Sequence, residues 1–228
     1  VLGRIGLAWF FAGILYLNFD LKKLLFWLVV ILFVYFLILK LVPVPNFGAG
    51  ILTPEGSFSS YIDQQFLPGR LHSKVYDPEG LFSTIPAIAT ALLGMFLGTF
   101  LKAKTIFSTN EKIMIMLASA LILIGIGAFW NYDFPINKRL WTSSFVCFVG
   151  GCSMLFFTFF YLIIDVLGYR KWAFPLILIG SNSILIYMAS EGLVNFKHTA
   201  EFVFGGGKLN ANTALPIAVS MVANGTGS

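Results

Sequence analysis

"LLFWLVVILFVYFLILKLV", residues 24–42, runs for nineteen positions with one charge, Lys40, and no glycine or proline. As an α-helix at 1.5 Å per residue it would be about 28 Å long, close to the hydrocarbon thickness of a bilayer. Polar and apolar residues do not alternate along it, which argues against a strand of an outer-membrane barrel. The rest of the composition agrees. A soluble domain carries roughly 25% charged residues, whereas this 228-residue chain has 11%, with 58% hydrophobic residues and 25 phenylalanines. The chain belongs in a lipid bilayer.

Similar windows recur, giving six expected spans at about 1–18, 24–42, 81–101, 113–130, 143–167 and 173–194. Backbone groups in lipid must bond within their own segment, so the spans are helices. The fold class is therefore all-α, a polytopic transmembrane helix bundle with a long structured outer loop at 43–80. Residues 1–228 are read as one transmembrane domain. No window has the basic leader, short apolar core and small-residue cleavage site of a removable signal peptide.

Basic residues orient the bundle. One side receives Lys22, Lys23, Lys102, Lys104, Lys112, Arg170 and Lys171, and the other Arg70, Lys74, Lys138 and Arg139. Seven against four places the first side in the cytoplasm. The net charge of +5 is then mainly a topology signal, and its scatter over loops excludes a nucleic-acid interface. Cys147 and Cys152 fall inside the fifth span and read as buried structural thiols. No metal-ligand spacing is present, and His72 and His198 are isolated in sequence. The loop 43–80 contains no cysteine, which favours a bacterial inner membrane over a lysosomal one.

Polar residues near the spans supply the candidate site. Asp77 and Glu79, in "VYDPEGLFSTIP" at 75–86, stand at the outer end of the third span. Carboxylates are expensive near lipid. Asp77-Pro78 suits a helix start, with Asp as cap and Pro in the first turn; the alternative is that both carboxylates hold a ligand. "NYDFPINKRLWTSSF", 131–145, places Asn137 and Lys138 in a short outer loop where basic residues gain nothing topologically. Asn182, inside "IGSNSILIY" at 179–187, either joins helices or lines a site. Glu191 lies on the opposite side of an ideal helix from Asn182 and near the outer interface. Asp165 ends the fifth span at the cytoplasmic interface. "GMFLG", 94–98, offers a small-residue face to another helix. The loop 43–80 opens with "PVPNFGAGILTPEG", a pattern of rigid turns rather than helix, and is too long for an idle connector.

Five motifs, in order and spacing, resemble the heparan-α-glucosaminide N-acetyltransferase family: "PVP" at 43–45, "YID" at 61–63, "YDPEGLFSTIPAI", "FPINKRLWTSSFV" and "GSNSILIY". The likeness runs from "VLGRIGLAWFFAGIL" to about residue 196. It implies a membrane enzyme that takes acetyl from cytosolic acetyl-CoA and delivers it to an aminosugar on the far side. The family's catalytic histidine belongs to a segment N-terminal to the motifs matched here, and neither His72 nor His198 matches it; the catalytic residue is therefore unassigned. Gly3 stands where the family usually has glutamine, and "KLNANTALPIAVSMVANGTGS" at the C-terminus departs from its last transmembrane helix. The chain is thus expected to be part of a longer protein. Its expected partners are the bilayer and an aminosugar, with a homodimer left open. The alternative reading is a transporter for an aminosugar such as N-acetylglucosamine, which should show inverted repeats and discontinuous helices; no internal repeat is visible. A third is a catalytically inactive structural subunit.

Overall fold

A computed structural model describes residues 2–53, 55–66, 80–102 and 107–188, which form helices without a named strand. They are α1 (Leu2–Asn18), α2 (Leu21–Leu41), α3 (Phe58–Phe66), α4 (Thr84–Lys102), α5 (Thr109–Trp130), α6 (Ser143–Phe160), α7 (Phe174–Ser181) and α8 (Ser183–Met188). A π-helical turn, Tyr161–Val166, prolongs α6, and a 3-10 turn, Lys171–Ala173, precedes α7. The chain divides into two compact units, Val1–Gly168 and Tyr169–Ser228.

In the first unit α5 lies along α6, α1 along α4, and α4 also meets α2 and α6. Helix α2 shows how an evenly apolar sequence chooses a face. Leu24, Leu28, Leu32, Tyr35 and Leu39 are buried at intervals of three and four residues, which is one stripe of a helix. Phe26, Val29 and Phe33 on its other side are exposed, as befits a lipid-facing surface. Leu24, Leu28 and Leu32 of the stripe pack on Ala12 of α1, Ala89 and Leu92 of α4, and Val146 and Cys147 of α6, while Tyr35 and Leu39 pack on Phe134. Small residues bring α5 and α6 together: a Cβ on Gly151 would stand 2.7 Å from the Ala120 carbonyl oxygen, and one on Gly127 2.5 Å from the Phe148 nitrogen. Glycine there is a matter of space.

Helix α5 opens with a reciprocal capping box, the Glu111 carboxylate accepting from the Ser108 amide and the Ser108 hydroxyl from the Glu111 amide. Four helical segments are long and apolar enough to cross a membrane: Leu21–Leu41, Thr84–Lys102, Thr109–Trp130 and Ser143–Val166. Helix α1, at 17 residues, would reach only about 25 Å. The sixth expected span is not continuous over its described part. It breaks at Asn182 between α7 and α8, and residues beyond 188 lie outside the described part.

Helix α4 begins at Thr84 with Pro86 in its first turn, and Asp77-Pro78, expected to open a helix, lies outside the described residues. One local expectation needs correction, because the loop 43–80 contains a helix. The loop opens as expected with a tight turn, where Val44 and Gly48 exchange backbone hydrogen bonds around Asn46 at φ 69°, a conformation Asn tolerates. Nine residues of α3 then follow, started by the Ser57 hydroxyl accepting from the Ser60 amide. The buried face of α3 is polar, made of Ser59, Ser60 and Asp63. Apolar periodicity, the usual helix signal, is therefore missing from it.

Candidate functional site at the α3 end of the bundle

The polar face of α3 docks where α1 and α4 begin and α2 ends. Asp63 is 1% exposed, and its Oδ1 accepts from the Phe82 amide at 3.4 Å. Its carboxylate occupies the space that a side chain on residue 80 would need. The Ser83 and Thr84 hydroxyls donate to the Gly80 carbonyl at 3.1 and 3.0 Å, closing the turn into α4. The anion at the start of α4 thus comes from a residue seventeen positions before Gly80, and is favoured there by the unsatisfied amides of a helix N-terminus.

Beside this turn stands Arg4 of α1. Its guanidinium donates to the Ser83 carbonyl at 2.7 Å and lies 4.2 Å from the Trp141 ring centroid, a cation–π arrangement. Trp141 is held at φ 53°, a conformation rare for a bulky side chain. Its indole N–H donates to the Thr90 hydroxyl at 3.1 Å. Tyr35, fully buried on α2, donates to the Leu140 carbonyl at 2.5 Å and stacks on Phe82 at 5.3 Å. Below Trp141 an apolar groove of about 230 Å³ runs between α4 and α6, lined by Leu93, Gly94, Gly150 and Met154 among others. The end thus joins an arginine, a buried carboxylate, a phenol and several hydroxyls that bond one another or the backbone beside the apolar groove.

Of the residues singled out from sequence, Asp77, Glu79 and Glu191, with His72 and His198, lie outside the described residues. Asn137 is half-buried and serves its own loop: its Oδ1 accepts from the Arg139 amide at 2.9 Å, and its amide donates to the Thr142 hydroxyl at 3.0 Å. That turn carries the chain into Trp141. Lys138 is exposed, with no ion pair among the described residues. In the second unit the Asn182 side chain donates to the Leu178 carbonyl of its own helix at 2.9 Å and is exposed. Asp165 is exposed at the π turn. Arg4, Tyr35, Asp63, Thr90 and Trp141 were not candidates; a charge inside the first span and the "YID" motif were the signals available. Among the described residues no group of three or more His, Cys, Asp or Glu could hold a metal.

At the opposite, lysine-rich end, Tyr16 and Thr99 share a hydrogen bond of 2.8 Å beside an open cleft that includes Asp20 and Lys22.

No family model matches the chain. Two curated proteins do. Human heparan-alpha-glucosaminide N-acetyltransferase is 30% identical over 190 residues, covering 68% of this chain and 28% of that protein. The likeness is that of distant relatives. The mouse enzyme of the same name is 30% identical over 185 residues with the same shares. The chain spans 28% of the length of the curated relatives it matches. Both carry the name of the family that the sequence motifs resemble, and the membrane-spanning helices fit a multi-pass membrane protein.

Proposed function

We propose that the chain is a membrane-embedded part of an N-acetyltransferase that moves acetyl from cytosolic acetyl-CoA to the amine of an aminosugar. The observation that carries this reading is the 30% identity to two N-acetyltransferases over 68% of the chain. The amine nitrogen attacks the thioester carbonyl, a C–N bond forms, the C–S bond breaks, and the thiolate of coenzyme A leaves. One proton leaves the amine and one is taken up by the thiolate. The α3 end receives the sugar, whose hydroxyls meet Arg4 and the polar turn 80–84, with Asp77, Glu79, Asn137 and Lys138 as further contacts. A carboxylate there would hold the ammonium and accept its proton. The lysine-rich end, with Lys22 in its cleft, receives the phosphates of acetyl-CoA. A bacterial inner membrane is the compartment we assign, since the outer loop needs no disulfide.

A second reading, transport of an aminosugar, draws on the helix break at Asn182, because transporter sites are built at discontinuous helices. Purified full-length protein in detergent, given acetyl-CoA and glucosamine, separates the two. Release of free thiol with formation of N-acetylglucosamine supports the transferase. Uptake of N-acetylglucosamine into liposomes with acetyl-CoA left intact establishes the transporter instead.

A further inference from the structure

The turn 80–84 is fixed from three directions, and one of its fixings comes from α3. Gly80 is not in the left-handed region, so backbone freedom does not require glycine there. Space does, because the Asp63 carboxylate fills the place of its Cβ. The same carboxylate accepts from the Phe82 amide. One residue further, the Ser83 carbonyl holds the Arg4 guanidinium, which lies on Trp141, and Trp141 forms the outer end of the groove between α4 and α6. A chain of contacts therefore leads from α3 through the turn and Arg4 to the groove. Asp63 in this chain is buried, and Trp141 holds a conformation that its neighbours must enforce.

We propose that Asp63 is a positioning residue that locks α3 to the turn before α4 and thereby sets the place of Arg4 and Trp141 over the groove. Asp63 does not touch substrate in this scheme; it acts through the turn. A buried carboxylate that fixes backbone amides holds its position more firmly than a neutral group would, and Gly80 is the counterpart shaped to admit it. The two residues thus form a matched pair, supplied by the "YID" and "YDPEG" segments.

The test uses the full-length protein in detergent, and its first readout needs no substrate. Asp63→Ala should change the emission of Trp141, isolated as the signal that disappears in a Trp141→Phe background. Asp63→Asn, which keeps Oδ1, should restore part of it. Gly80→Ala should produce a similar change, and Gly80→Ala added to Asp63→Ala should do little more, since the space is then empty. An unmoved Trp141 signal, or effects of the two substitutions that simply add, would overturn the proposal. Should Asp63→Ala fail to fold, Asp63→Asn and Gly80→Ala alone decide it by the same signal. The kinetic arm rests on the acetyltransferase reading: Asp63→Ala should raise KM for the aminosugar about tenfold or more while changing kcat less. If the Trp141 signal moves but no sugar is ever acetylated, the positioning role stands and the acetyltransferase reading fails.

Discussion

Replacing Arg4 by alanine tests how the α3 end is held together. The side chain makes a charge-assisted hydrogen bond to the Ser83 carbonyl at 2.7 Å, worth about 1.5–3 kcal/mol in a partly buried setting. Its position 4.2 Å from the Trp141 centroid adds about 0.5–2 kcal/mol. Together the loss should be about 2–5 kcal/mol, or a fall in melting temperature of roughly 5–15 °C for a chain of this size. Arg4→Lys should lie between alanine and wild type, because an ammonium keeps the charge but not the planar fork that stacks on an indole. Thermal unfolding of detergent-purified protein measures all three. A double-mutant cycle with Trp141→Phe isolates the ring contact, with an expected coupling of about 0.5–2 kcal/mol. If Arg4→Ala melts within about 1 °C of wild type, the contacts around Arg4 do not stabilise the fold and this account of the site fails.

Other substitutions separate tight positions from open ones. Gly151→Ala should destabilise by about 1–3 kcal/mol, since its Cβ would meet the Ala120 backbone. Gly94→Ala, with nothing within 4 Å, should stay within about 0.5 kcal/mol of wild type; equal melting shifts in the two variants would contradict the close α5–α6 approach. Lys138→Gln should change stability by less than about 0.5 kcal/mol, because the side chain is exposed. A loss of activity of about tenfold at unchanged expression would then report a substrate contact, and full activity would return Lys138 to a plain surface role. Asn137→Ala should instead lower both stability and activity, by about 0.5–1.5 kcal/mol, since its Oδ1 holds the Arg139 amide; an unchanged melting temperature would refute that.

The transmembrane character was legible because a bilayer demands length and apolarity, which residues 24–42 display without any knowledge of packing. The buried face of α2 was not legible. With every side apolar, sequence alone does not distinguish Leu28, which is buried, from Val29, which faces outward. Helix α3 escaped notice because its buried face is serine and aspartate rather than leucine. The site escaped for another reason: Arg4, Tyr35, Asp63 and Trp141 are far apart in the chain and meet only when the helices pack. The break at Asn182 has a local cause, since its side chain competes for the Leu178 carbonyl. Asn137, a polar residue in a short loop, uses its side chain to build the turn before Trp141.

The most direct test of the acetyltransferase reading places the two substrates on opposite sides of a membrane. Full-length protein is reconstituted into liposomes with glucosamine sealed inside and acetyl-labelled acetyl-CoA added outside. The account predicts labelled N-acetylglucosamine in the lumen, formed at a rate that falls at least about tenfold in Arg4→Ala, as removal of a charged contact of 1.5 kcal/mol or more implies. An unlabelled lumen over intact acetyl-CoA, with the protein folded and correctly inserted, would contradict it.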